Sequence, residues 1–520
     1  MKFKCNHKFL NFPVNQYASK KKLLFYHNEA LVYDLDVALD YINPAYYMPV
    51  NIERFFGMEI EIKTEPEMLI DIHESDEKLV YPADMAYRPA FHFSANSGWI
   101  NDPNGLFRYN GMYHLFFQYN PAGVVWDNMH WGHAASSDLL HWKELDCALY
   151  PDSSGTMFSG SAIVDAKNVT GLKSGSHDVI LLFYTAAGGT SRLSQNTQFT
   201  QCLAYSTDGG KTFAKYSQNP ILPHIFKSNR DPKVIYDKAI DRYIMALYLH
   251  EHTYALFTSD NLLQWTKLQE IILQEDTECP DFYPLPIDGN SNNIQWVFCG
   301  AADRYVTGIF GGAGFAPTSQ EKQLHFGDSS YASQSWSNSS GYRRVRIAWN
   351  TFSIPGMPFN NCMTFPCEME LKQINDEIYL CSNPVSEIKN LYTSEFADQN
   401  ITVKTEKKYA AVLNGKCFDI RMRIESATEF CFSFFGLNIQ CSIQKNQLKC
   451  NNSTAPLWHR DGMTELRLLI DKTGVEIFID KGQAYLSMGH LMDYNLNQFE
   501  ILGGNLVIHQ IKIARIANTI

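Results

Sequence analysis

The sequence predicts an all-β protein, with two large β units preceded by a small one. Three observations carry this. Between about residues 85 and 370 the apolar runs are short, bounded by turns and punctuated by aromatics, and no long amphipathic helical pattern interrupts them. Within that stretch a weak repeat recurs: Ser137-Asp138-Leu139-Leu140-His141-Trp142, Thr207-Asp208-Gly209-Gly210-Lys211-Thr212-Phe213, and Ser259-Asp260-Asn261-Leu262-Leu263-Gln264-Trp265. From about 385 to 520 polar and apolar residues alternate, the period of strands with one buried face.

Composition bounds the problem first. The 520 residues are 45% hydrophobic and 13% aromatic, enough to bury large cores in two to four domains. A net charge of −11 speaks against a nucleic-acid backbone or an anionic membrane as partner. The 12 cysteines include no Cys-x-x-Cys, so neither a zinc site nor a redox pair is indicated. Reduced, mostly buried thiols point to a cytoplasmic setting. The basic start, Met1 to Leu10, has no apolar run behind it, and no stretch approaches the roughly 20 apolar residues of a membrane helix. If the protein is exported, the expectation is that its signal has been removed or that the route is unusual. No cofactor and no metal are expected.

Taken in order, residues 1–80 read as a small β module. Lys22–Tyr26, Leu31–Leu35 and Met58–Ile62 are its short, partly alternating strands, with His27-Asn28-Glu29 turning the first into the second. The acidic segment Glu65 to Lys78 reads as a linker. Residues 85–370 follow. Each repeat copy is a Ser/Thr-Asp turn with an aromatic four or five residues on, and the copies lie roughly 50 to 70 residues apart. Strands at that period suit the blades of a β-propeller. Residues 385–520, with Phe418–Arg423, Glu429–Phe435 and Val475–Asp480, suggest a β-sandwich.

The most informative stretch is Gly98-Trp99-Ile100-Asn101-Asp102-Pro103-Asn104-Gly105. Pro103 pushes Asp102 toward an extended conformation, and Asn104-Gly105 is a turn signal. A carboxylate aimed by a stiff turn, between two amides and near a Trp, suits a positioned nucleophile acting on a sugar. Alone, an Asp-Pro pair is a common turn former. Two further carboxylates change the reading: Asp231 in Asn229-Arg230-Asp231-Pro232, and Glu278 in Thr277-Glu278-Cys279-Pro280. Propeller blades bring such distant positions to a common axis. Carboxylates sharing a pocket repel, so their pKa values split. Arg230 is expected to keep its neighbour Asp231 ionised. Glu278, with no cation beside it and the apolar Cys279 following, is the better acid. Glycoside cleavage needs that division between a nucleophile, an acid/base and a group that holds the sugar.

In this order the three motifs resemble those of glycoside hydrolase family 32, the invertase and fructanase family. Further matches are Phe117-Gln118-Tyr119-Asn120-Pro121, Trp131-Gly132-His133 and Phe158-Ser159-Gly160-Ser161. The likeness spans roughly residues 88 to 500. It implies a five-bladed β-propeller followed by a C-terminal β-sandwich, and retaining hydrolysis of β-fructofuranosides without a metal. Carried over by position, it makes Asp102 the nucleophile, Glu278 the acid/base and Asp231 the transition-state stabiliser. Asn101, Gln118, Trp126, Phe158, Ser159 and Arg230 would line the fructose pocket. Judged without the resemblance, Gln118 reads as a solvated strand residue, and Trp126, Phe158 and His133 as core residues. Many family members carry Pro-Arg-Glu where this chain has Met363-Thr364-Phe365-Pro366-Cys367-Glu368; together with Pro355-Gly356-Met357-Pro358-Phe359-Asn360, that stretch resembles the bacterial levanase and fructan-exohydrolase branch. Phe310-Gly311-Gly312 replaces a common Phe-Asp-Gly. These departures bear on subsites, not on the three acids.

The expected partner is a fructose-containing oligo- or polysaccharide: fructan, fructo-oligosaccharide or sucrose. Fructosyl transfer and hydrolysis of difructose anhydrides use the same acids. An alternative of another class is a non-catalytic fructan-binding protein. The retaining reading expects Asp102 and Glu278 to face each other about 5–5.5 Å apart.

Overall fold

The structure is a computed structural model and describes residues 1–71, 73–338, 341–409, 415–460, 462–496 and 498–519. It is almost wholly β. Among the described residues the helical turns are two short 3-10 stretches, Glu53–Phe55 and Ser386–Leu391. No helix among them is long and apolar enough to cross a membrane.

The N-terminal residues form two small sheets around their own core, which includes Leu10, Phe12, Phe25, Tyr33, Leu35 and Ile62. Strands Lys21–His27 and Ala30–Val37 pair as expected. Asn28 and Glu29 between them both take positive φ, at 47° and 67°, as a two-residue hairpin turn requires. The acidic segment is not a simple linker. His73–Ser75 within it pairs with Phe9–Val14 and completes the second sheet.

Three four-stranded antiparallel meanders follow, led by the strands Gly98–Tyr109, Thr156–Asp165 and Arg230–Asp237. In a fourth sheet Asp281–Ile287 is flanked on one side by Asn290–Cys299, Arg304–Gly311 and Gly314–Pro317, and on the other by Cys367–Ile374, Arg344–Asn350 and Tyr331–Ser335, in that order. The short strand Phe359–Asn360 pairs in parallel with the start of Gly98–Tyr109 and anchors it. The leading strands pack in sequence, each on the next, and Tyr331–Ser335 closes the circuit against both Asp281–Ile287 and Gly98–Tyr109.

The repeated turns join the third and fourth strands of the first three sheets. Ser136 Oγ donates to Asp138, whose Oδ1 accepts the Leu140 and His141 amides. Asp208 accepts the Lys211 and Thr212 amides in the same way. In the third copy the register differs from the expectation by one. Asn261, not Asp260, accepts from Leu263 and Gln264, with Ser259 in the serine position. The motif is therefore Ser-x-Asp/Asn, because the turn needs an acceptor two residues after the serine, and an amide oxygen serves as well as a carboxylate. The trailing Trp142 and Trp265 close the turns by donating to the Leu139 and Leu262 carbonyls.

Among the described residues the C-terminal part forms two six-stranded antiparallel sheets. Alternate residues Phe418, Ile420, Met422 and Ile424 of one face Phe430, Phe432 and Phe434 of the other across a shared core.

Candidate active site

At one end of the circuit the leading strands lose their regular pairing. A register shift falls between Ile100 and Pro103, another between Phe158 and Gly160, another between Arg230 and Lys233, and another between Tyr331 and Gln334. Each holds a residue of the site: Asn101 and Asp102, Ser159, Asp231, and Ala332 beside Tyr331. A bulge turns side chains away from the pleat, and here the bulges turn them toward a common centre. Asp231, Glu278, Cys279 and Ala332 all take positive φ, at 66°, 45°, 40° and 54°. These are strained positions for residues with side chains. Gly160 is needed for close approach, since a Cβ there would lie 1.9 Å from the Phe183 carbonyl oxygen.

The structure brings the three carboxylates together. Cys279 Sγ lies 3.5 Å from Asp102 Oδ2 and 3.5 Å from Asp231 Oδ2. Those two oxygens are therefore within ~7 Å of each other, by hydrogen-bond reach on either side of one thiol. The Cys279 amide also donates to Asp231 Oδ2, at 3.1 Å. Glu278 is the preceding residue. Its Oε2 accepts two bonds from Arg230, at 3.1 and 2.9 Å, and its Oε1 accepts from the Tyr331 hydroxyl at 2.8 Å.

Asp102 is held by Ser159 Oγ at 2.6 Å and by the Asn101 amide at 3.1 Å; Asn101 in turn accepts from the Trp99 indole. Behind Asp231, Thr185 Oγ1 accepts the Asp231 amide and donates to Gln201, which donates to the Asn229 carbonyl. This buried chain locks the left-handed turn. Gln118 stands opposite the Asp102 bulge, between the partners of Ile100 and Pro103. It is 2% exposed, and its amide nitrogen has no hydrogen-bond partner among the described residues. Trp126 is 50% exposed and sets its ring against the edge of Phe158, at 6.0 Å; Phe158 meets Phe199 at 5.6 Å. Trp99, Trp349 and Tyr331 form a second aromatic group.

Burial pushes the Asp231 carboxyl up to about 7; the Arg230 guanidinium opposes this, and the charges of Glu278 and Asp102 add to it. Burial also raises Asp102, with Ser159 and Asn101 pulling it back and Glu278 pushing it further. The same burial and the same carboxylates hold the Cys279 thiol well above its usual range, so it stays protonated and donates.

Three expectations are corrected here. Glu278 does have a cation beside it: Arg230 hydrogen-bonds it directly and approaches Asp231 only to 3.6 Å, and although the Arg230 charge favours ionised Asp231, burial there outweighs it. The planar face of Arg230 meanwhile lies over the Tyr248 ring, at 4.6 Å. The strained turn at Asp231 points adjacent side chains in different directions, so chain proximity misleads. Gln118 is buried, not solvated, because the bulge opposite covers it. Trp126 is half exposed, not a core residue. His133 is a core histidine: it meets His114 at 2.9 Å and stacks on Phe116. Sequence reasoning missed Tyr331, which lies in no recognisable motif, and the hydrogen-bonding role of Cys279. The only signal for Cys279 was its place between Glu278 and Pro280.

Residues 92–384 match the family model described as the glycosyl hydrolases family 32 N-terminal domain. A levanase of Bacillus subtilis is 31% identical over 488 residues, which cover 82% of this chain and 71% of the levanase. An extracellular exo-inulinase of Aspergillus ficuum is 29% identical over 480 residues, covering 78% of this chain and 89% of the inulinase. The crystal structure of an exo-inulinase from Aspergillus awamori superposes with a TM-score of 0.77 at 26% identity, over 85% of this chain and all of that one.

Proposed function

Because this chain belongs to glycosyl hydrolase family 32, we propose that it is a retaining β-fructofuranosidase that releases terminal fructose from fructans, fructo-oligosaccharides or sucrose. The single observation that carries this is the meeting of Asp102, Asp231 and Glu278 around one thiol and one guanidinium.

In this reading Asp102 attacks the anomeric carbon of a terminal fructosyl unit while Glu278 gives its proton to the departing glycosidic oxygen. Water then attacks the fructosyl ester, Glu278 takes a proton from it, and Asp102 leaves as carboxylate. Asp231 holds fructose hydroxyls through the oxocarbenium-like transition state. The amide of buried Gln118, without a partner among the described residues, supports a hydrogen bond to a sugar hydroxyl, since a buried donor without an acceptor is costly. Asn101, Ser159 and Arg230 orient the carboxylates, and Trp126 and Phe158 offer an apolar wall to the ring's C–H face. We read residues 85–370 as a five-bladed propeller, 385–520 as a sandwich and 1–80 as a separate module. The closed circuit of leading strands supports five blades.

The test is incubation with sucrose, inulin and levan, with products separated by chromatography. Free fructose from the outset is expected for exo attack. Glu278→Gln and Asp102→Asn should each lower kcat by roughly 10²–10⁴-fold while sugar binding persists. A wild-type protein that binds fructan yet frees no fructose would make it a binding protein instead.

A further inference from the structure

We infer that the N-terminal module positions the aromatic wall of the active site, chiefly through its strand Ala30–Val37. The inference rests on the fructosidase reading for its kinetic consequence, but its geometry stands without it.

The wall is Trp126, Phe158 and Phe199. Trp126 lies in the connection between the strands Met112–Asn120 and His130–Ser136. Phe199 ends the connection between Val179–Ala187 and Thr200–Ser206. Both connections are anchored to the same strand of the module. Asp36 donates its amide to Asn128 Oδ1 at 2.8 Å and accepts from Asn128 Nδ2 at 2.9 Å, so one side-chain amide takes the place of a neighbouring strand. Asn128 Nδ2 also donates to Asn120 Oδ1, which ties the two ends of the Trp126 loop. Tyr33 meets His130 at 2.7 Å in a buried contact. The Asp34 carboxylate, 7% exposed, accepts the backbone amides of Arg192 and Leu193 in the second connection, at 2.9 and 3.1 Å.

The Trp126 loop is also shared with the module's interior. Ala122 and Val124 pack into the module's own hydrophobic core, and Lys20 pairs with Asp127 at 2.5 Å. The loop is thus held on both sides of Trp126 by residues that lie outside the catalytic sheets. A half-exposed indole has little packing of its own to fix it. Its orientation is inherited from the loop ends, and those are set by the module. Tyr33, Asp34 and Asp36 are therefore positioning residues, and the module helps set how tightly a sugar is held.

The test uses the full chain. Asn128→Ala cuts both bonds to Asp36 and the tie to Asn120. Asp34→Ala releases the second connection. Asn128→Ala is expected to raise KM for sucrose and for a fructo-oligosaccharide about 5- to 10-fold, with kcat within about 2-fold, a loss of uniform binding. In a Trp126→Ala background the same change should add less than about 2-fold, because both act through one side chain. Hydrogen exchange at residues 121–129 should be faster in Asn128→Ala, and at 188–198 in Asp34→Ala. Unchanged KM, or an undiminished effect without Trp126, overturns the inference. If wild-type protein frees no fructose, the fructosidase reading falls, and the exchange rates alone decide whether the module holds the loops.

Discussion

Ser159 Oγ donates to the same Asp102 oxygen that faces the Cys279 thiol. Hydrogen bonds to a carboxylate favour its charged form, and Ser159 is the strongest such influence on Asp102, working against burial. Ser159→Ala should therefore raise the Asp102 pKa further. A nucleophile must be ionised, so the acidic limb of the kcat/KM profile is expected to move to higher pH. A limb that stays in place after this substitution counts against Asp102 as the attacking group. The residue types at the site were legible in the sequence, since Asp-Pro, Arg-Asp-Pro and Glu-Cys-Pro each mark a stiff turn bearing an acid. Their pairing was not. Arg230 precedes Asp231 in the chain, yet its guanidinium bonds Glu278, because a left-handed residue separates the directions in which the two side chains leave the backbone.

The strands and turns show what local pattern can and cannot supply. The Ser-x-Asp/Asn turns are local hydrogen-bonded units, so they stand out in the sequence at 138 and 208 even without a structure. Although burial pushes upward, the His141 amide and imidazole hold the Asp138 carboxyl down to about 2. Asp138→Ala and Asn261→Ala each remove the one oxygen that accepts two backbone amides and should cost about 1–2 kcal/mol. The two turns belong to different sheets, so the losses should add, as denaturant unfolding of the double variant would show. A double loss well below the sum would mean that the turns are coupled through the sheets. The bulges were invisible by contrast. A bulge is a mismatch between two strands, and one strand's sequence does not say where its partner's register slips.

Across the whole molecule, the catalytic sheets and the C-terminal sheets share one core. Ala90, Phe91, Phe365, Leu469, Phe478, Tyr485 and Ile516 belong to the same buried cluster. The seam carries a buried charge cluster. His92 Nδ1 lies 2.8 Å from Asp471 and its Nε2 3.4 Å from Glu476, while Asp471 also accepts the amides of Ala90 and Phe91. Burial opposes protonation, yet the two carboxylates raise His92 to about 9, and its charge with the amides holds Asp471 down to about 2. A histidine raised on folding adds stability that is complete below its unfolded pKa of ~6.5 and is lost as pH climbs through about 9. A depressed aspartate adds stability above its unfolded value that is lost as pH falls through about 2. Thermal unfolding should therefore show Tm falling between pH 6.5 and 9.5, and His92→Gln should flatten that slope. A wild-type Tm that is level across this range would show that the seam does not titrate as described.

The sequence by itself determined the all-β character, the places of two of the three repeated turns and the three acidic motifs. Each of these is written in neighbouring residues: alternation, a serine two before an acceptor, an acid before a proline. Only the tertiary structure decided which charge faces which, that Gln118 is buried and Trp126 exposed, and that an N-terminal strand grips the walls of a site far along the chain. Those are contacts between segments tens to hundreds of residues apart. Their geometry comes from how sheets pack and where strands slip, and no local stretch encodes that.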